Sequence, residues 1–141
     1  MQLEGLGGSL WIAQREGRAK DGNDRTEAAV LKMLTLSRDK QSESADDVLG
    51  RLNIVPLTVS YELDPCDCRK ARELAVGDDY QKRQFEDLES IAAGITGEKG
   101  RVHVQFGKPL GADSLPVTDA VRQIDTQMVE NYRLFQTNVW A

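Results

Sequence analysis

A short turn near the start of the chain concentrates cationic side chains around a glycine. We call it the cationic turn, and its residues of interest are Arg15, Glu16, Gly17, Arg18 and Lys20. The run Leu10–Ala13 before it is apolar, and the segment after Gly22 is expected to be a helix. Loop amides at a helix N-terminus bind anions, and neighbouring cations strengthen that attraction. The turn is therefore predicted to bind a small anion.

The glycine spacing in the turn also matches part of a nucleotide-binding P-loop. Gly17 and Gly22 are separated as in the pattern G-x-x-x-x-G-K-[ST], but Asn23 and Asp24 follow in place of the lysine and the hydroxyl residue. In a P-loop the lysine binds the β and γ phosphates and the hydroxyl binds magnesium. Because both are missing, we do not expect this turn to bind a nucleotide.

A simpler interpretation is that the turn is solvated and holds no ligand. Glu16 can pair with Arg15 or with Arg18, and exposed ion pairs of this kind contribute little to stability. Local composition alone favours this interpretation. A ligand therefore needs support from the rest of the chain.

The segments on either side of the turn predict a strand and a helix. Ser9–Gln14 contains the apolar run and is expected to be a buried strand that includes Trp11. Asp24 and Glu27 have the spacing of a capping box, which predicts a helix over about residues 25–37. The positive end of this helix is expected to face the anion.

Two further strands are predicted, at Asn53–Tyr61 and Arg101–Phe106. Pro56 cannot donate to a sheet ladder, so the first lies at an edge, contains a bulge or begins only at Leu57. Apolar residues alternate along the second strand and are expected to form its buried face: Val102, Val104 and Phe106.

The remaining helices are predicted from caps and apolar spacing. Ser44 and Asp64 are expected to cap two of them, and Gly97 to stop a longer one that begins at Asp78 or Asp79. In that helix a heptad-like spacing joins Phe85, Leu88, Ala92 and Ile95. The last helix covers about residues 116–135, and its inner stripe is predicted to be Val117, Ala120, Val121, Ile124, Met128 and Tyr132.

The element order is β-α-β-α-α-β-α, in which helical connections favour parallel strands. We therefore expect an α/β fold with a three-stranded, mostly parallel sheet and flanking helices. A length of 141 residues is typical of one domain, and residues 1–8 are expected to be a flexible lead-in. So few strands leave a sheet edge bare.

Composition and charge narrow the class of protein. The net charge of −5 argues against a general nucleic-acid binder, which needs a basic face. No window approaches the ~20 consecutive apolar residues of a membrane-spanning helix, and residues 1–8 do not have the pattern of a signal peptide. We expect a cytoplasmic protein, or one that contacts a membrane only at its surface.

The cysteines and the histidine do not form a recognisable metal or nucleophile motif. Cys66 and Cys68 make a lone C-x-C, and His103 is the one histidine of the chain. A structural zinc site needs four ligands at regular spacing. We therefore predict no metal site, no catalytic cysteine and no bound cofactor.

Three short motifs in this order resemble the glycerolipid acyltransferases, which acylate glycerol 3-phosphate or its 1-acyl ester. The first is the cationic turn, which is similar to the Glu-Gly-x-Arg element of that family, with Ala19 and Lys20 where Ser and Arg are common. The second is Val55-Pro56-Leu57, and the third is the segment 104–110, similar to Val-x-Phe-Gly-x-Pro. The resemblance covers most of residues 9–110, and its weight lies in the order and combination of the motifs.

The resemblance implies phosphate recognition without catalysis. In the family a His-x-x-x-x-Asp block supplies the general base, and a second block supplies a substrate-binding arginine; neither is found here. His103 lies downstream of the turn, and Lys108 stands at the spacing of the aspartate. We expect a C-terminal portion of an acyltransferase-like protein, inactive as this chain. If it were active, acyl-CoA or acyl-carrier protein would be the co-substrate.

The resemblance also implies roles for the residues of the cationic turn. Arg18 and Lys20 would hold the phosphate of glycerol phosphate or lysophosphatidate, with Arg15 as a helper. Gly17 would allow close approach of the backbone, and Glu16 would orient the turn or a glycerol hydroxyl.

Two other functions remain open. A non-catalytic interaction or scaffold domain would complete its thin sheet by self-association or with a partner chain. A membrane-surface module would use the cationic turn together with Trp11 or Trp140.

Overall fold

The computed structural model describes residues 8–15, 23–36, 38–111 and 113–139. Within these ranges the chain is a mixed α/β protein with a two-stranded antiparallel sheet. Its internal contacts divide it into a first unit, residues 1–57 and 106–131, and a second unit, residues 58–105 and 132–141. This division does not decide whether the chain is one domain, so the single-domain prediction stays a prediction. Nearly all of the predicted lead-in lies outside the described residues.

Among its described residues, the first unit contains three helices. They are α1 (Ala28–Leu34), α2 (Ala45–Arg51) and α5 (Val117–Asn131). Ser44 caps α2 as predicted, since its side chain accepts from the Asp47 amide while the Asp47 carboxylate accepts from the Ser44 amide. The buried side chains that form the core of this unit are Leu31, Leu49, Leu110, Leu115, Ala120 and Ile124.

The inner stripe predicted for the last helix is confirmed over most of its length. Ala120 and Ile124 are buried, and Val117, Val121 and Met128 pack against the same core. The predicted helix of residues 116–135 is too long, however. It ends at Asn131 and is followed by a separate short helix, α6 (Gln136–Val139).

The first predicted strand does not form. Residues 8–13 are in neither helix nor strand, and Trp11 is 78 % exposed where we expected it to be buried. An apolar run shows that a segment can be buried, but a strand also needs a neighbouring strand to accept its backbone hydrogen bonds. The prediction of a buried strand at Ser9–Gln14 was therefore wrong.

The sheet pairs β1 (Leu57–Tyr61) with β2 (Val102–Phe106). The amide of Glu62 donates to the carbonyl of Arg101 over 2.9 Å, and the amide of Gly107 donates to the carbonyl of Pro56 over 2.8 Å. These two bonds fix an antiparallel register. Of the alternatives for Pro56, two are confirmed, because the strand begins at Leu57 and each strand of this described two-stranded sheet is an edge strand.

The prediction of a three-stranded, mostly parallel sheet was therefore wrong. Between β1 and β2 the chain forms α3 (Asp67–Val76), a 3₁₀ turn at Gly77–Asp79 and α4 (Glu86–Thr96). The end of α4 returns to the start of α3, because Gly97 lies against Pro65. A single crossover helix favours a parallel strand, whereas two helices that run out and back let the next strand pair antiparallel.

The structure also moves the start of the long predicted helix. Its residues Asp78 and Asp79 belong to the 3₁₀ turn, and α4 begins only after Phe85, which has a left-handed backbone with φ of 66°. Glu86 is buried and accepts hydrogen bonds from the Tyr80 hydroxyl and the Arg83 amide. These bonds hold the segment before α4 in a non-helical path.

A C-terminal segment covers the polar face of the sheet in the second unit. The Arg133 amide donates to the Ser60 hydroxyl over 3.0 Å, and the Asn138 side chain donates to the Glu62 carbonyl over 2.9 Å. Phe135 is buried, with the Arg101 guanidinium 5.0 Å from its ring centre. Ser60 is fully buried as a result.

The opposite face of β2 is exposed, which reverses our prediction. Val102, Val104 and Phe106 do lie on one face, but they are 48 %, 50 % and 67 % exposed. Alternation identifies residues that share a face; which face is covered depends on the segments that pack against it. Here the segment that carries Arg133 packs on the side of Ser60.

Candidate functional site

The structure describes only one residue of the predicted anion site. Arg15 is half-buried. The other predicted site residues lie outside the described residues: Glu16, Gly17, Arg18 and Lys20. Their roles remain predictions.

The two ends of this loop are tied together, and we call the tied residues the loop neck: Gln14, Thr26, Glu27 and Asp125. The Glu27 amide donates to the Gln14 carbonyl over 2.9 Å. The Thr26 amide donates to the Asp125 carboxylate of α5 over 2.9 Å. The cationic turn therefore begins and ends at one place on the first unit.

The helix after the loop is shorter than predicted. α1 begins at Ala28, with Glu27 as its N-cap residue and no side-chain capping bond. The capping box predicted for Asp24 and Glu27 is absent at this described helix end. The helix start is therefore about one turn later than predicted, which moves the positive end of α1 away from the cationic turn in sequence.

Two buried polar atoms in the loop neck have no hydrogen-bond partner. They are the Nε2 amide nitrogen of Gln14 and the hydroxyl oxygen of Thr26. Sequence reasoning missed both residues, because neither belongs to a motif. Their position beside the cationic turn, one before it and one after it, was the only available signal.

The second and third family-like motifs meet in the first unit. The Gly107 amide donates to the Pro56 carbonyl, and the Leu110 amide donates to the Ile54 carbonyl over 2.8 Å. Gln127 of α5 holds the same turn, since its side chain accepts from the Lys108 amide over 2.6 Å and donates to the Lys108 carbonyl over 3.1 Å. Gln127 is a third residue that no sequence motif indicated.

The cysteines lie at the start of α3, and the histidine lies in β2. Cys66 is buried with its sulfur 3.4 Å from the Ser90 carbonyl, and a hydrogen bond to Asp67 raises the pKa of the exposed Cys68 thiol. A raised pKa lowers the thiolate fraction and so the reactivity. His103 lies on the polar side of β2, in register with Ser60. Over the described ranges, no group of acidic, cysteine or histidine side chains could hold a metal ion.

The ion pair between Glu62 and Arg101 is structural. Both carboxylate oxygens of Glu62 lie 3.0 Å from the Arg101 guanidinium, which lowers the pKa of that carboxyl to about 2. The pair links the end of β1 to the start of β2. We therefore assign it to the sheet and not to a ligand site.

The exposed face of the sheet is an apolar surface of the second unit. The register places Val59 opposite Val104 and Tyr61 opposite Val102, all on one side. None of these side chains carries a charge. In α4 the spacing of Leu88, Ile91 and Ile95 gives a second exposed apolar stripe.

Comparison with known proteins finds no match to the chain. No protein-family model, curated protein sequence or solved structure matches the chain. None of the helices in the described parts of the chain is long and apolar enough to span a membrane.

Proposed function

We propose that the chain is an acyltransferase-like domain that recognises the phosphate of glycerol 3-phosphate or of lysophosphatidate without transferring an acyl group. The observation that carries the proposal is the loop neck. The bonds from Glu27 to Gln14 and from Thr26 to Asp125 join both ends of the segment that contains the cationic residues. A loop tied at its base presents its side chains with less loss of freedom on binding.

The chemistry follows from the side chains of the turn. Arg18 and Lys20 would bind the phosphate oxygens through charge-assisted hydrogen bonds, with Arg15 at the neck as a third cation. Gly17 has no Cβ, so phosphate oxygens can approach its amide. Glu16 would orient the turn or accept from a glycerol hydroxyl. The contact between the Val-Pro-Leu and Phe-Gly-x-Pro segments at Pro56 and Gly107 also supports the family-like interpretation.

Catalysis is not part of this proposal. A general base contributes about 10²–10⁴-fold to a reaction of this kind, and the acceptor hydroxyl would need one. His103 is followed by Lys108 where an orienting aspartate would stand, and it lies in the strand opposite Ser60. Acyl-CoA or acyl-carrier protein would be the co-substrate of acyl transfer and has no part in phosphate recognition.

Removing the two main cations should weaken phosphate binding. Calorimetric titration of glycerol 3-phosphate into the Arg18→Ala/Lys20→Ala variant should show an affinity about ten- to a hundredfold lower than wild type, because two charge-assisted hydrogen bonds are lost. The matched control is Lys40→Ala/Arg122→Ala, which removes the same charge from exposed positions of the first unit. Equal affinity in wild type and the Arg18/Lys20 variant would refute the phosphate site.

The alternative function is self-association, and the exposed sheet face supports it. We propose that a second copy of the chain covers Val59, Tyr61, Val102 and Val104. The chain carries a net charge of −5, so most pairs of identical surfaces would repel each other. These four side chains are uncharged, and two copies can pack this face on itself without bringing like charges together. Stacked sheets bury such faces about 10 Å apart.

The molecular mass of the protein in solution tests whether the chain self-associates. Sedimentation velocity should show a dimer for wild type and a monomer for Val59→Thr/Val104→Thr, because Thr keeps the shape and strand preference of Val but brings a hydroxyl that is costly to bury. Val129→Thr, on the exposed side of α5, is the control and should remain dimeric. A wild type that stays monomeric at all concentrations would exclude a second copy as the partner.

A further inference from the structure

Phe85 immediately precedes α4 and has a backbone conformation that its side chain does not favour. Its φ of 66° and ψ of 8° lie in the left-handed region, where the Cβ of a non-glycine residue crowds the following carbonyl oxygen. The ring is 63 % exposed, so its packing does little to offset this strain. A strained conformation persists only where the surrounding structure holds it, which calls for a restraint beside Phe85.

Glu86 supplies this restraint, and we call the two bonds of its carboxylate the Glu86 latch. The carboxylate is buried at the start of α4, where it accepts from the Tyr80 hydroxyl and, over 2.9 Å, from the Arg83 amide. In a continuous helix the Arg83 amide would instead donate to the carbonyl of Asp79, four residues earlier. The Glu86 latch and a helix through these residues therefore exclude each other.

The segment that the latch holds out of the helix has a strong preference for helical structure. Residues 81–84 read Gln-Lys-Arg-Gln, which are all good helix formers. Asp79 would be a favourable N-cap residue. Because α4 already exists from Glu86 onward, extending it avoids the cost of nucleating a new helix. Extension would also move Phe85 into the right-handed region and so remove its strain.

We propose that α4 is a two-state switch, with the short form of the structure and an extended form that begins at about residue 80. The Glu86 latch stabilises the short form, whereas the strain at Phe85 and the preference of residues 81–84 stabilise the extended form. In the extended form Phe85 would lie one turn before Leu88 on the same side of the helix. The exposed apolar stripe of α4 would then be one turn longer, so the switch changes the size of an apolar surface.

Two substitutions of Phe85 test the switch, because they differ from each other only in the Cβ. Alanine remains strained in the left-handed region and favours the helix, whereas glycine tolerates that region and disfavours the helix. In nuclear magnetic resonance spectra, the Cα chemical shifts of residues 81–84 should therefore move to helical values in Phe85→Ala. In Phe85→Gly they should keep the values of the short form. Equal shifts in the two variants would contradict a role for strain and overturn the switch.

A second pair of variants tests the latch. Tyr80→Phe removes the hydroxyl donor and should also move the Cα shifts of residues 81–84 toward helical values. Tyr132→Phe is the control, because it removes the hydroxyl of an exposed tyrosine elsewhere in the second unit, and it should leave these shifts unchanged. Unchanged or random-coil shifts in Tyr80→Phe would overturn the switch. Helical shifts in wild type would overturn it as well, since the short form would then be absent in solution.

Discussion

Replacing Leu49 with alanine should lower the free energy of unfolding of the first unit by about 2–5 kcal/mol, the usual range for a fully buried leucine. Leu49 lies in α2 with no exposed surface, in the core that includes Leu31 of α1 and Ile124 of α5. Alanine favours the helix, so helix propensity adds no penalty. The loss therefore measures the packing that holds these helices together.

Urea unfolding followed by circular dichroism measures this loss. Val129→Ala is the matched control, because Val129 lies in α5 with most of its side chain exposed. We expect the control to change stability by no more than about 0.5 kcal/mol. A Leu49→Ala variant as stable as the control would mean that the core described here is not formed in solution.

This core supports the proposed site. Asp125 lies next to Ile124 on α5, and its carboxylate accepts from the Thr26 amide at the loop neck. Two residues further on, Gln127 holds the turn at Lys108. One helix thus packs its apolar stripe into the core while its polar side bonds to Thr26 of the loop neck and to the turn at Lys108.

Several features were predicted correctly because the interactions that determine them involve residues close together in sequence. The capping box at Ser44 needs only Asp47, and Pro56 cannot donate to a ladder whatever the rest of the chain does. The inner stripe of α5 follows from helical spacing. These features depend on a few neighbouring residues, so the sequence contains the information that specifies them.

The sheet depended on contacts between distant segments, and there the prediction failed. The apolar face of Val102 and Val104 was identified, but it is exposed because Arg133 and Asn138 bond to the side and end of β1. Nothing within Arg101–Phe106 specifies that arrangement. The strand predicted at Ser9–Gln14 failed for a related reason, because an apolar run does not identify a pairing partner.

The site was only partly predictable for the same reason. Arg15 was identified from composition, whereas Gln14, Thr26 and Gln127 became candidates only when the structure showed their surroundings. Amide and hydroxyl side chains occur throughout any soluble protein. Burial without a partner, or a bond to a turn distant in sequence, is what distinguishes these three.

Gly97 ends α4 as predicted, but the backbone preference of glycine does not explain why a glycine is needed there. A glycine at the end of a helix usually adopts a positive φ, but Gly97 has φ of −70° and ψ of 152°, which any residue can adopt. Glycine is needed because there is no room for a side chain at this position. A Cβ at this position would lie 2.6 Å from the Ala93 carbonyl oxygen and 2.8 Å from Cγ of Pro65, and would also overlap Cβ of Pro65.

Gly97→Ala should therefore destabilise the second unit by about 1–3 kcal/mol, as overpacking of a close contact usually does. The proline ring and the helix carbonyl cannot move aside as a flexible side chain would, so the start of α3 and the end of α4 must separate. Thermal unfolding followed by circular dichroism measures the loss. Gly111→Ala is the control, since its added Cβ would meet no atom within 4 Å. Equal melting temperatures for the two variants would show that α3 and α4 do not approach each other at Pro65.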